Sequence, residues 1–383
     1  MQLVIFDDHS LNLFHPISLT KSLGDIPVGK YSQIERFKLL LNIEKAFIST
    51  HDSLKGLYDE SEKKASIWVN ARVVPTDKLV QAIKELTPNT ALIQDQTILA
   101  AKTDSNLLND FKESVLVSDY LVMENVTDIF SYASHFIAFD FEHSQVNKPT
   151  LLNYQLLFGE IENLSVCSSA KLFNCTLNTT DGPIIIDSEA EIQEGSNIRG
   201  PVYIGKKVQV KMGARISGGT SIGAECRVGG EISNVVMLPY SNKGHDGFIG
   251  NSVIGSWVNL GADTNASNLK NNYGEIKLKQ EFNTDELETK RQFCGPMIGD
   301  HAKTGINTML NTGAYVGVAA NIFQASFPEK CVKSFTWGNN QTVHDFQKAI
   351  ETAERMMSRR GKSLSIAEKS ILEHIFNSSV SNK

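Results

Sequence analysis

The sequence predicts a two-part fold: an α/β domain at the N-terminus, then a hexapeptide-type parallel β-helix, closed by a C-terminal helical tail. Three observations carry this. From Ile186 to Val228, the residues Ile186, Ile192, Ile198, Ile204, Val210, Ile216, Ile222 and Val228 recur at every sixth position. Before that stretch, short apolar runs alternate with amphipathic ones, the pattern of strands and helices about a partly parallel sheet. After it, residues 339–383 carry apolar side chains at helical spacing.

A period of six suits neither a lone helix nor an ordinary strand. It matches short strands and turns wound into a three-sided coil, with each aliphatic residue pointing inward and stacking on its equivalent three repeats further on. The fifth position of each unit is mostly small or branched, as at Ala190, Ser196, Val202, Val208, Ala214, Thr220 and Cys226. No coil can bury its own face, so coils are stable only as a stack.

The chain of 383 residues is long enough for two to three domains with real cores. The opening MQLVIFDDHS lacks the basic, apolar and small-residue series of a signal peptide, and no apolar run reaches the ~18 residues a membrane span needs. Five cysteines without zinc spacing fit free, mostly buried thiols in a reducing cytoplasm, and no dedicated metal site is expected. A net charge of -6 without like-charge blocks gives no footprint for nucleic acid or an anionic membrane.

Residues 1–150 form the expected α/β domain. Leu3–Phe6 reads as a buried strand ending at Asp7-Asp8, followed by a helix over Ser32–Asn42. Ile67–Val69 is a strand entering NARVVP; Asp77–Leu86 is a helix; residues 91–93 and 97–99 form a hairpin. Ligands of such sheets sit beyond the strands' carboxyl ends, here the loop Asp7–Gly29. Lys21 and Lys30 could hold nucleotide phosphates there, and Asp7 or Asp140 a magnesium ion. The alternative is that these are solvated loop charges.

Residues 151–180 read as a linker with a hint of helix at Leu152, Leu156 and Leu157; residues 181–338 as the β-helix; residues 339–383 as the tail. The six-residue beat breaks after Val228, resumes at Ile254 and Leu260, lapses through an Asn-rich loop at 265–273, and returns at Ile298, Thr304, Leu310, Val316 and Ile322. Lys279–Gln292 is expected to protrude. Loops interrupting a rigid solenoid are the usual seat of function. His245 lies in one such break, between Gly244 and Gly247, where the backbone can approach a ligand closely. An imidazole suits general-base work at neutral pH. Asn259, Asn268, Asn271, Asn272 and Tyr273 supply neutral donors and acceptors, although some asparagines must serve turns.

The blocks SNKGHDGFIGNSVIGSWVNLGADTNASNLKNNYG and QFCGPMIGDHAKTGINTMLNTGAYVGVAANIF resemble the GlmU-related family of sugar nucleotidyltransferase/acyltransferases. The likeness is long through 185–338 and weaker in 1–150, where FDD, NARVVP and Asp128–Phe130 carry it. It implies a nucleotidyltransferase-like first domain and a left-handed β-helix, trimeric, that transfers acetyl from acetyl-CoA to an amino sugar phosphate. It places His245 at the general base. Lys243, Asn259, Arg215 and Phe248 fall to the acceptor sugar, Phe248 standing where the relative has a tyrosine. Asn272, Tyr273, Gly305 and Phe323 fall to the acyl-CoA. Ser233 stands where the relative has a phosphate-gripping lysine, which leaves that task to Lys243, Arg215 or Lys211. In the first domain Lys21 and Pro27 replace the paired arginines of the family. Magnesium and a nucleoside triphosphate enter only if that domain is active.

In the tail, Thr342-x-x-Asp345 and Ser365-x-x-Glu368 resemble capping boxes. Phe346, Ala349, Ile350, Ala353, Met356 and Met357 form an apolar stripe expected to cover the open end of the solenoid, and the basic turn Arg359-Arg360 stands against solvent or a CoA phosphate. Cys294 reads as a buried thiol. Three functions remain open: a CoA-dependent N-acyltransferase, with or without nucleotidyl transfer; a nucleotidyltransferase whose β-helix only oligomerises; and a non-catalytic trimeric scaffold.

Overall fold

A computed structural model describes residues 1–144, 156–282 and 285–381. The chain divides into two compact units, one of Met1–Leu13, Lys21–Pro27 and Tyr31–Glu124, the other of Phe14–Thr20, Val28–Lys30 and Asn125–Lys383.

The first unit is built on a six-stranded mixed sheet. Its strands are β1 (Gln2–Phe6), β2 (Ala46–Ser49), β3 (Ser66–Asn70), β4 (Thr90–Gln94), β5 (Thr97–Thr103) and β6 (Glu113–Leu116), in the order β2-β1-β3-β5-β4-β6. β1 runs parallel to β2 and β3, and β4–β5 is the expected antiparallel hairpin. Helix α1 (Gln33–Leu41) starts at a capping box in which Ser32 and Glu35 bond each other's backbone N–H, and ends at Asn42 in the left-handed conformation. Helix α2 (Asp77–Glu85) is capped by the Thr76 hydroxyl. Val4, Phe6, Trp68, Ala91 and Ala101 form the core on one sheet face.

The second unit is a parallel β-solenoid. Ile186 pairs with Ile204 and Ile204 with Ile222, each one coil from the next, as the beat requires. The whole set from Ile186 to Val228 is buried in one continuous aliphatic core, which continues through Ile254, Leu260, Ile298, Leu310, Val316 and Ile322. The solenoid begins earlier than the sequence indicated. Leu156–Phe158 is a strand paired in register with Thr176–Asn178, and Leu164–Val166 pairs with Ile184–Ile186, so most of the expected linker is already coil. Leu156 and Leu157 are therefore not helical; Leu152 lies outside the described residues.

Two helices assigned by sequence position to the first domain pack on the solenoid instead. Helix α3 (Val126–Ser131) is capped by Asn125, and helix α4 (Ala133–His143) buries Ile137 against Ile185 and Tyr203, outward residues of two successive coils. Apolar side chains on an outer solenoid face need such a cover.

The insert at 276–291 does not protrude freely. Its antiparallel strands Ile276–Leu278 and Leu287–Arg291 lead into a segment folded back onto the unit. Gln280 donates to the His15 carbonyl, and the Glu281 carboxylate accepts the Ser334 N–H and the hydroxyls of Ser334 and Ser379. The tail also departs from expectation. The strand Asn339–Val343 turns back on Thr336–Trp337 and pairs with the last solenoid strand. Helix α5 (Phe346–Ser358), capped by Asp345 rather than Thr342, runs from Phe335 back to Glu225, which Arg360 meets at 3.6 Å. It lies beside Phe335, Ala319 and His301 on a corner of the solenoid instead of capping the end. Helix α6 (Ile366–Ser381) starts at the Ser365–Glu368 capping box, both bonds of which are made.

Glu281→Ala would strip Ser334 and Ser379 of a shared acceptor, a loss of about 1–3 kcal/mol. Hydrogen exchange should show α6 opening more readily, with protection of the 186–228 coils unchanged.

Candidate functional site

At the end of β1 the two acids have separate fates. The Asp7 carboxylate accepts the Leu23 N–H at 3.1 Å and the Thr50 hydroxyl at 2.6 Å, and burial pushes its pKa up despite those bonds. Burial alone would also raise Asp8, but the Arg72 guanidinium and the Asn70 amide outweigh it and hold the Asp8 carboxyl below its usual range. Arg72 makes a two-pronged contact with Asp8 (Nε at 2.9 and 3.0 Å, Nη2 at 2.6 Å) and donates to the Met123 carbonyl. Sequence reasoning flagged Asp7-Asp8 and NARVVP separately and missed their pairing; two adjacent strand ends, 62 to 64 residues apart in sequence, bring them together.

Of the residues expected to serve a nucleotide, Lys21 lies in the first unit, whereas Lys30 and Asp140 lie in the second. The Asp140 carboxylate is buried and accepts the Lys30 N–H at 2.8 Å. It pins that turn to α4. Among the described residues no group of three or more His, Cys, Asp or Glu could hold a metal ion.

The solenoid site is built around His245. The chain leaves the strand Asn242–Lys243, turns a corner through Gly244–Gly247, and enters the long strand Phe248–Ile254. At Gly247 φ is +113°, and a Cβ there would overlap the Thr264 carbonyl oxygen of the next coil, so only glycine fits. His245 is exposed at this corner. Asn259 stacks on Asn242 one coil on and accepts its side-chain amide at 2.8 Å. Phe248 donates its N–H to the Asn265 side chain, and Asn268 bonds Asn251, so these two members of the Asn-rich loop are structural.

Gly244 belongs to a column of bare backbone. Gly229 packs on the Gly244 carbonyl, Gly261 lies in register with Gly244, a Cβ on Gly261 would touch the Gly305 carbonyl, and Gly305 packs on Phe323. From Gly244 to Phe323 this strip spans three coil spacings, about 14 Å. Phe323 is half exposed and meets Trp337 edge to face at 5.0 Å. The strip thus joins His245, at one end, to two of the residues expected to contact an acyl-CoA.

The other expected residues are dispersed. Arg215 is exposed and paired with Glu231, which is in register with Phe248. Asn272 accepts the Gly274 N–H, and Tyr273 is 66% exposed, both in the turn just before the insert strands. Ser233 shares a hydroxyl bond with Ser217, and Lys211 donates to Gln209. Lys243 is a correction: it is buried, not a surface cation, and its ammonium donates to the carbonyls of His245 (2.8 Å) and Asp246 (3.1 Å). The reason is phase, since Lys243 pairs with Val228 and so occupies the inward ladder position. Cys294 is buried as expected, its thiol pushed up to about 12 by burial.

Fold and site together define an α/β domain followed by a parallel β-solenoid with an exposed histidine at a coil break. Residues 3–148 match the family described as "Sugar nucleotidyl transferase". A "Bifunctional sugar-1-phosphate nucleotidylyltransferase/acetyltransferase" of Sulfurisphaera tokodaii is 35% identical over 144 residues, 37% of this chain and 35% of that protein. A "Bifunctional protein GlmU" of Methanococcus vannielii is 30% identical over 117 residues, 30% of this chain and 27% of that protein. Part of the chain is similar to these two proteins, and the chain spans about a third of the length of the relatives it matches. No helix among the described residues is long and apolar enough to cross a membrane.

Arg72→Ala would remove the charge partner of the half-buried Asp8 carboxylate and leave it the Asn70 amide and the Ser10 N–H, at a cost of about 1–3 kcal/mol. Because the Asp8 pKa is depressed, its stabilising contribution is complete above the unfolded value, about 3.9, and is lost as pH falls through the folded value. Urea unfolding should show a large loss at pH 7 for the variant and a smaller difference from wild type in acid.

Proposed function

We propose that the protein is an acyl-CoA-dependent N-acyltransferase acting on an amino sugar, of the glucosamine-1-phosphate class, with acetyl-CoA as donor. The observation that carries this is the exposed His245 at one end of the glycine strip, with Phe323 at the other. A strip of backbone free of side chains suits the close approach of a long, flexible acyl carrier arm. The imidazole takes a proton from the acceptor amine as the amine attacks the thioester carbonyl. The tetrahedral intermediate collapses with loss of the CoA thiolate, which takes up that proton. A backbone N–H of the strip facing the developing oxyanion would contribute about 3 kcal/mol. Asn259, with its amide nitrogen directed away from Asn242, and the Asn272–Tyr273 turn are placed on the acceptor and the acyl group.

Two features shape the rest of the reading. With Lys243 buried, the sugar phosphate falls to Arg215 or Lys211. The exposed apolar residues Met212 and Ile306, neighbours in sequence of Lys211 and Gly305, would be covered by another copy, which supports a homotrimer with the acceptor site between copies. The family match of residues 3–148 favours a second activity, transfer of a nucleotidyl group to a sugar 1-phosphate, for which magnesium would enter with the nucleoside triphosphate.

The test is CoA release with acetyl-CoA and a panel of amino sugars and their 1-phosphates, wild type beside His245→Ala. Turnover should fall roughly a hundredfold or more in the variant. Near wild-type turnover would end the assignment of His245. Pyrophosphate release from a nucleoside triphosphate without any acyl transfer would leave the solenoid as an oligomerising element only.

A further inference from the structure

We propose that Lys243 is the positioning residue for His245: it points into the solenoid from a ladder position and ties down, from inside, the corner that presents the imidazole. This deepens the acyltransferase reading and rests on it.

The argument starts from the ladder. In register with Lys243, successive coils place Leu172, Ile192, Val210, Val228, Leu260, Thr304 and Ile322 inward, every one aliphatic or a threonine. A leucine or methionine would fill the position at no electrostatic cost, whereas an ammonium drawn from water is expensive unless it is well bonded. Lys243 is 1% exposed. Its bonds go to the carbonyls of His245 and Asp246, two successive groups of a tight corner. The Asp246 carbonyl also receives the Asp263 N–H from the next coil at 3.1 Å, so the lysine and that coil grip the same peptide from two sides. Charge-assisted bonds on the peptide of His245 itself set where its Cβ points, and hence where the exposed imidazole can reach. Lys243 is itself buried, so its part is to hold the corner and not to bind a substrate.

The same burial gives the device a pH signature. Burial lowers the lysine to about 8, against the opposing pull of the Asp246 and Asp263 carboxylates that face it. Its folded value lies below the unfolded one, about 10.4. Between the two the unfolded chain binds more protons, so global stability rises with pH through that window. The grip on the corner moves the opposite way, because the neutral amine loses its charge-assisted bonds.

Lys243→Met separates these effects. The variant should fold with a melting temperature at pH 7 equal to or above wild type. Amides of residues 244–247 should exchange about tenfold faster, and kcat should fall about tenfold or more with KM for acetyl-CoA within about twofold. In wild type, corner exchange corrected for its intrinsic pH dependence should rise above pH 8, and kcat should fall there; both trends should vanish in the variant. Unchanged corner exchange in Lys243→Met at pH 7 would overturn the proposal whether or not the protein transfers acyl groups. So would a loosened corner with unchanged kcat in a protein that needs His245. An enzyme that releases no CoA with any acceptor sinks the acyl reading alone, since the exchange result is read independently. Should the methionine variant fail to fold, the wild-type pH series decides: corner protection constant from pH 7 to 10 overturns the grip.

Discussion

Stacking of inward residues at one coil spacing is the constraint on which the rest of this molecule depends. A coil of three short strands buries nothing alone, so each inward side chain is stabilised by the coils before and after it. Ile186, Ile204 and Ile222 show the arrangement at its most regular, each fully buried and each in register with the next. Because the ladder fixes the coil, anything inserted between rungs is held at both ends by a rigid frame. The long segment between Asn259 and its in-register partner Lys303 is inserted in this way, and it includes the Asn272–Tyr273 turn.

The ladder also explains what was legible in the sequence. Where coils keep their regular length, the beat declares fold, phase and burial together. Where they do not, phase is hidden. The coil from Val228 to its partner Lys243 is shorter than the one from Ile204 to Ile222, so counting in sixes from Val228 passes over Lys243 and makes it look like one more loop charge. A slip in the other direction conceals the first coils: Val166 pairs with Ile186 across a coil longer than the regular one, and no steady beat marks the region as solenoid. His245 was legible for a different reason: glycines on both sides of a histidine at a break in a rigid repeat are a local signal, independent of phase. The glycine strip was only half legible, since Gly305 and Phe323 follow the regular beat while Gly244 and Gly261 are aligned by two irregular coils.

Long-range polar contacts were the least legible of all. Asp8 and Arg72 are 64 residues apart, and neither has a sequence neighbour that names the other. The helices α3 and α4 follow the α/β domain in sequence, and nothing local in Ile137 says that its partners will be Ile185 and Tyr203. In each case a side chain is selected by a surface that exists only once the solenoid or sheet has formed. The tail follows the same logic. Its stripe was correctly apolar, but its target is the corner beside Phe335, which periodicity alone does not reveal.

The insert between Asn259 and Lys303 shows how these pieces combine. Near its far end Arg291 donates to the Thr127 hydroxyl and meets the Asp128 carboxylate, tying the insert to the capped first turn of α3. In its middle Glu281 joins the last coil to α6 through Ser334 and Ser379. Between these anchors and the ladder, Gln292 bonds the Tyr273 carbonyl. The turn expected to face the acyl group is held by Gln292, the neighbour of the anchored Arg291, while its own ring stays exposed. Position is supplied by backbone-directed bonds while the side chain stays exposed, the arrangement also found at the corner of Lys243 and His245.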